Sequence, residues 1–147
     1  MGSNPIFSAL EKNVSFCFFS KKKMSKITIN TTYINVVNSK PKIYKDNRNK
    51  SGIYRWTNLI NKESYIGRSD NLTKRFYYYF SIATLKRKVE LGNSKIYNAL
   101  LKYGYEQFSL DILEYCDDSE SKEREQYYID LLNPEYNIYQ KSKILIK

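Results

Sequence analysis

The 147-residue sequence contains no histidine, which removes zinc and imidazole-based mechanisms from consideration. Its two cysteines, Cys17 and Cys116, lie far apart with no second Cys or His nearby, so neither a disulfide framework nor a thiolate metal site can be read from them. No apolar run approaches the ~20 residues of a membrane span. Val14 to Ser20 is too short and irregular to count, so a soluble chain with no membrane partner is expected. Met1-Gly2 is not followed by the Ser or Thr of a myristoylation signal, and the absence of Arg from the first 47 residues argues against a transit peptide. The hard ligands that remain are carboxylates, which suit Mg²⁺.

What is abundant is positive charge and tyrosine. The net charge of +10 points to a polyanionic partner, because Lys and Arg attract phosphates and release their counterions. The charge is uneven: residues 1–50 hold ten Lys and Arg against two Asp and Glu, net +8, whereas residues 51–147 hold fifteen against thirteen, net +2. The first fifty residues therefore read as a basic extension, partly disordered or a linker, either solvated or touching backbone phosphate. Ile, Asn, Lys and Tyr dominate, residues whose codons are rich in A and T, which hints at an organellar genome.

Residues 1–26 show no sustained period and receive no element. Lys26 to Val37 is β-branched and partly alternating, then Asn38 to Asn49 turns polar around Pro41, so a short strand followed by a linker is expected. Gly52 to Thr57 and Glu63 to Arg68 flank a turn-rich segment and predict a hairpin. A helix follows from Asn71, with Leu72, Phe76 and Phe80 spaced by four. Asn93 or Ser94 caps a second helix, whose Ile96, Ala99, Leu100 and Tyr103 share a face before Gly104 closes it. Phe108 to Tyr115 reads as a third strand. Asp117 to Glu120 offers capping oxygens and early negative charge to a third helix, which Asn133-Pro134 stops. The fold class is α/β in the order ββααβα, with a three-stranded, mainly antiparallel sheet flanked by three helices. The domain spans residues 51–140, and 141–147 form a short tail.

Two tripeptides, Gly52-Ile53-Tyr54 and Tyr65-Ile66-Gly67, sit on the paired strands with ten residues between them. Downstream, Arg75 lies eight residues after Gly67, Glu125 lies in the third helix, and Asn137 follows Tyr136 beyond it. In these residues the sequence resembles the GIY-YIG homing-endonuclease family, over about three fifths of its length. The surrounding segments look most like fungal mitochondrial intron-encoded members. The resemblance implies a DNA endonuclease with Arg75 as catalytic arginine, Glu125 as metal ligand and Asn137 as a late site residue. It also implies Mg²⁺, with Mn²⁺ as a substitute, no organic cofactor, and mitochondrial residence.

Each of these roles has a physical reason. Hydrolysing a phosphodiester needs an activated water, stabilised charge on the non-bridging oxygens, and help for the departing 3′ oxygen. Glu125 can hold Mg²⁺ as a lone carboxylate, because this ion keeps several waters and takes its other oxygens from the substrate. Arg75 is always charged and fits the charge that develops on phosphorus. Tyr54 is, by resemblance, the group that activates the water, with Tyr65 as positioner or alternate. A phenol of ordinary pKa is a poor base at neutral pH, so Arg75 or the metal must favour the phenolate, or the metal must activate the water instead. Tyr79, four residues after Arg75, stands where some family members carry His and others Tyr, and is carried over as an active-site hydroxyl.

Arg68 and Lys74 are candidates for contact with DNA phosphate. Tyr77, Tyr78, Tyr97 and Tyr103 are read as packing residues, Glu123 and Arg124 as solvated charges. Homing members usually join the nuclease to a separate DNA-recognition region, and only ten residues follow Asn137. Specificity is then expected from the basic N-terminal segment or from a partner, or the chain is a shortened remnant. Two other readings share the motifs: a structure-specific repair or recombination nuclease, and a nucleic-acid-binding module without turnover, such as a splicing accessory.

Overall fold

A computed structural model describes residues 27–138. Residues 1–26, part of the basic extension, and the tail at 141–147 lie outside the described residues. The hairpin forms as its composition predicts. Strands β2 (Gly52–Asn58) and β3 (Ser64–Ser69) pair antiparallel, with Tyr54 opposite Gly67 and Trp56 opposite Tyr65. Asn58 closes the turn by accepting a hydrogen bond from the Ile60 amide through Oδ1 at 2.9 Å.

Helix α2 (Leu72–Tyr79) starts at Asn71, whose side chain accepts from the Lys74 amide, and buries Leu72, Phe76 and Tyr79. Ser94 caps α4 (Lys95–Tyr103) in the same way through the Tyr97 amide, and Gly104 ends it at φ 87°. Strand β4 (Phe108–Tyr115) follows, then α5 (Asp118–Leu132), which Asn133 stops in the left-handed conformation. Asp117 is the N-cap of α5, but its side chain makes no capping bond. Asp118 and Glu120 supply only first-turn charge.

The sheet has four strands instead of three, in the order β1-β4-β2-β3, with every pair antiparallel. The added strand is β1 (Thr31–Tyr33), paired with the far edge of β4. Where a linker was expected, α1 (Lys40–Asp46) forms: Pro41 falls in its first turn, where a missing N–H costs nothing, and Ile43 is fully buried. Buried Asn47 ties this segment down by donating to the Ile43 carbonyl at 2.8 Å and accepting from the Tyr115 hydroxyl at 2.8 Å. Thr73 Oγ1, on α2, donates to the Tyr44 carbonyl at 2.8 Å, so α1 also braces the helix that carries Arg75.

A fifth helix among the described residues, α3 (Ile82–Leu91), also departs from the expected count. Ser81 ends the preceding run and caps the new one through the Thr84 amide. Leu85 is its only buried residue, although Ile82, Leu85 and Val89 lie at i, i+3 and i+7 in the sequence.

Side-chain alternation divides the molecule into two layers of core. Tyr54, Trp56, Leu110 and Ile112 face the helices α1 to α4, while Ile53, Ile66 and Leu113 face α5 through Tyr128. Helix α5 adds the partly buried Ile129 and Leu132 to this layer and an ion pair to the sheet. Arg124, read as solvated, grips Glu114 with Nε 2.9 Å and Nη2 2.8 Å from the carboxylate and lies 4.4 Å from the Tyr127 ring centroid. The Arg124 guanidinium also holds the Glu114 carboxyl below its usual range. Among the described residues no helix is long and apolar enough to cross a membrane.

Candidate active site

Strand β3 is an edge strand of the sheet, and the two faces meet there. Tyr65 and Ser69 point to the side of α2, and Arg68 to the side of α5. A polar cleft of about 480 Å³ opens at this edge, lined by Tyr65, Arg68, Ser69, Asp70, Arg75, Asp118 and Glu125. Arg75 reaches it from α2 and Glu125 from α5, helices on opposite faces of the sheet.

Behind the cleft, the tyrosines pack together. Tyr54 and Tyr79 are buried, their hydroxyls 3.1 Å apart and their rings edge-on at 5.8 Å. The Tyr79 hydroxyl also interacts with Tyr65, and Arg75 with Tyr54. Burial pushes the Tyr54 pKa up, Tyr65 adds to the rise, and Arg75 only partly offsets it. Burial, with Glu125 next in importance, pushes Tyr65 up to about 12. Burial likewise raises Tyr79 well above the ordinary value. Burial works against the Arg75 charge, but the neighbouring oxygens of Tyr54, Tyr79 and Tyr97 outweigh it. At neutral pH the site therefore holds neutral phenols around a fixed cation.

Both motif glycines answer to close approach. A Cβ on Gly67 would lie 2.5 Å from the Tyr54 hydroxyl oxygen and 2.9 Å from Tyr65 Cε2. One on Gly52 would lie 2.3 Å from the Glu114 carbonyl oxygen, where β2 shifts register against β4 between Ile53 and Tyr54.

Of the residues singled out in the sequence, Tyr65, Arg68, Arg75 and Glu125 line the cleft, with Tyr54 and Tyr79 directly behind Tyr65. Lys74 is exposed on α2 outside the lining. Arg68 meets α5: its Nε is 3.4 Å from Glu125 Oε1, and its Nη1 donates to Ser121 Oγ at 3.1 Å. Asn137 grips the edge strand from outside, accepting from the Ile66 amide at 2.9 Å and donating to the Ile66 carbonyl at 2.8 Å. It thus completes the ladder of β3 below the cleft. Asn137→Ala is expected to cost about 1–2 kcal/mol and to lift the hydrogen-exchange protection of the Ile66 amide. A large loss of cleavage with that protection intact would assign Asn137 to the chemistry instead.

Tyr97, read from the sequence as a packing residue, sets its ring 5.5 Å from that of Tyr79, while Ser69, Asp70 and Asp118, not singled out for the site, line the cleft. Nothing local distinguishes Tyr97 from a packing residue. Asp118 carried a signal: with Ser121 and Glu125 it forms an i, i+3, i+7 stripe on one face of α5.

A family model described as the GIY-YIG catalytic domain matches residues 50–138. The chain belongs to the GIY-YIG family. The GIY-YIG match starts beyond β1 and α1, which pack on the domain from outside it. The chain is 32% identical over 127 residues to the Neurospora crassa "Probable intron-encoded endonuclease bI1", covering 78% of this chain but only 27% of that relative. Among solved structures it is similar to the catalytic domain of the homing endonuclease I-TevI, at 30% identity and a TM-score of 0.50, over 60% of this chain and 98% of that one. A mutant form of the same catalytic domain matches at 29% identity and a TM-score of 0.50, over 60% of this chain and 92% of that one.

Proposed function

We propose that the chain is a Mg²⁺-dependent DNA endonuclease that hydrolyses phosphodiester bonds. The observation that carries this reading is the convergence of Arg75 and Glu125, from opposite faces of the sheet, on one cleft at the edge of β3. The donor set fits a hard divalent cation. Glu125 is a largely shielded carboxylate in a polar cleft that Asp70 and Asp118 also line, open enough to leave the remaining positions to waters and substrate oxygens. Bound there, Mg²⁺ supplies stabilisation of charge on the phosphate and the departing oxygen.

The chain's own groups do the rest. Arg75 neutralises charge on the non-bridging oxygens with a guanidinium already held in place, so little reorganisation is needed. Tyr65 presents the only phenol in the cleft lining, with Tyr79 and Tyr54 linked behind it. With pKa values pushed up by burial, these groups do not act as standing phenolates; the Tyr65 hydroxyl orients the attacking water by a hydrogen bond, with Tyr79 and Tyr54 packed behind it.

The intron-encoded relative and the AT-rich codon signature support an organelle-encoded, mitochondrial, homing-type enzyme. The chain covers about a quarter of that relative's length, so the segment that selects a target belongs to this proposal too.

The test is to incubate the purified chain with linear, branched and single-stranded DNA in Mg²⁺, Mn²⁺ or EDTA. Nicking of duplex only with a divalent ion is expected. A strong preference for branched DNA would favour a repair or recombination nuclease, and binding without metal-dependent nicking of any substrate would overturn the enzyme reading.

A further inference from the structure

The ion pair between Arg68 and Glu125 occupies the one carboxylate assigned to the metal. Arg68 is aimed there by two anchors. Its backbone sits on β3, where alternation points it to α5, and Ser121 accepts its Nη1 at 3.1 Å. Ser121 is fully buried and spends its own proton on the Asp118 carbonyl at 2.9 Å, which leaves its lone pairs to the guanidinium. From that position Arg68 Nε lies 3.4 Å from Glu125 Oε1, with the two side chains 38% and 24% exposed.

We infer that Arg68 is the resident counter-ion of the cleft: it orders Glu125 in the free enzyme and competes with the divalent cation for that carboxylate. Resting on the metal reading given above, it assigns a positioning role to Arg68. A cation arriving at Glu125 displaces the guanidinium, which is then free to meet a phosphate across the cleft. The arrangement keeps a lone carboxylate ordered without substrate, and its consequence is weakened metal binding. A partly exposed ion pair sets the size of that effect at about fivefold in affinity.

The experiment is a Mn²⁺ titration of the full chain, read by the loss of free-ion electron paramagnetic resonance signal. Wild type, Arg68→Gln, Arg68→Lys and Glu125→Ala are compared, with circular dichroism to confirm folding. Arg68→Gln should bind Mn²⁺ about fivefold more tightly than wild type, Arg68→Lys should stay near wild type because it keeps the charge, and Glu125→Ala should lose the site. A merely structural Arg68 would give a weaker site on removal, never a tighter one. If wild type binds through Glu125 and Arg68→Gln is no tighter, the counter-ion role falls and the metal reading stands. If neither wild type nor Arg68→Gln binds Mn²⁺ in a Glu125-dependent way, both fall.

Discussion

Glu125→Ala is expected to reduce metal-dependent DNA cleavage by about a thousandfold while leaving the protein folded. Removing a single preorganised electrostatic group from a reacting centre costs about 10²–10³ in rate, and Glu125 also carries the metal's contribution. The cleft's other two carboxylates, Asp70 just beyond β3 and Asp118 at the start of α5, are not expected to replace it. Among the described residues no group of three or more potential ligands could hold an ion, and Asp118 is a full two turns earlier on α5. The cost in stability is small, because the pair with Arg68 is partly exposed and such pairs contribute about 0.2–1 kcal/mol. Single-turnover cleavage beside thermal denaturation checks both halves. Cleavage within tenfold of wild type at unchanged Mg²⁺ would remove Glu125 from the site.

How much of this could be read from the chain depends on the range of the interaction. The hairpin, α2, α4 and α5 were legible because caps and apolar spacing are local: Asn71, Ser94 and Gly104 act within a few residues of themselves. The order of Tyr54, Tyr65, Arg75 and Glu125 was legible as a motif, although nothing local says that α2 and α5 meet at one strand edge. The short strand expected between Lys26 and Val37 forms as β1, but its place in the sheet and helix α1 were not foreseen, because their stabilisation is remote. Polar residues around Pro41 look like a linker until Tyr115, Thr73 and β4 are set beside them. Arg124 was read as a solvated charge and Arg68 as a candidate phosphate contact for the same reason, since a guanidinium declares itself only through its partner, here Glu114 on β4 and Glu125 on α5. Asn137 had a family position but no visible task, and its bonds to Ile66 span 71 residues of sequence.

Gly67→Ala, which adds one methyl group to the second motif, is expected to cost about 3 kcal/mol, the upper end for overpacking a tight core, and to slow cleavage about a hundredfold. The new carbon would sit 2.5 Å from Tyr54 Oη, 2.7 Å from Cζ and 2.9 Å from Tyr65 Cε2. The two Tyr54 atoms have no room to move. The Tyr54 ring is fully buried, edge-on to Phe76 at 5.3 Å, and tied by its hydroxyl to Tyr79. The displacement therefore passes to Tyr65 and, through the hydroxyl group of contacts, to Arg75, where a shift of about 1 Å can cost 10²-fold in rate. Tyr54→Phe in the same chain provides the check, because it deletes the atom nearest to the added methyl. If the clash is the cause, the double variant regains part of the stability lost in Gly67→Ala, and the two substitutions are non-additive in chemical denaturation. Strict additivity would mean that Gly67 is required for a reason other than the ring lying across it.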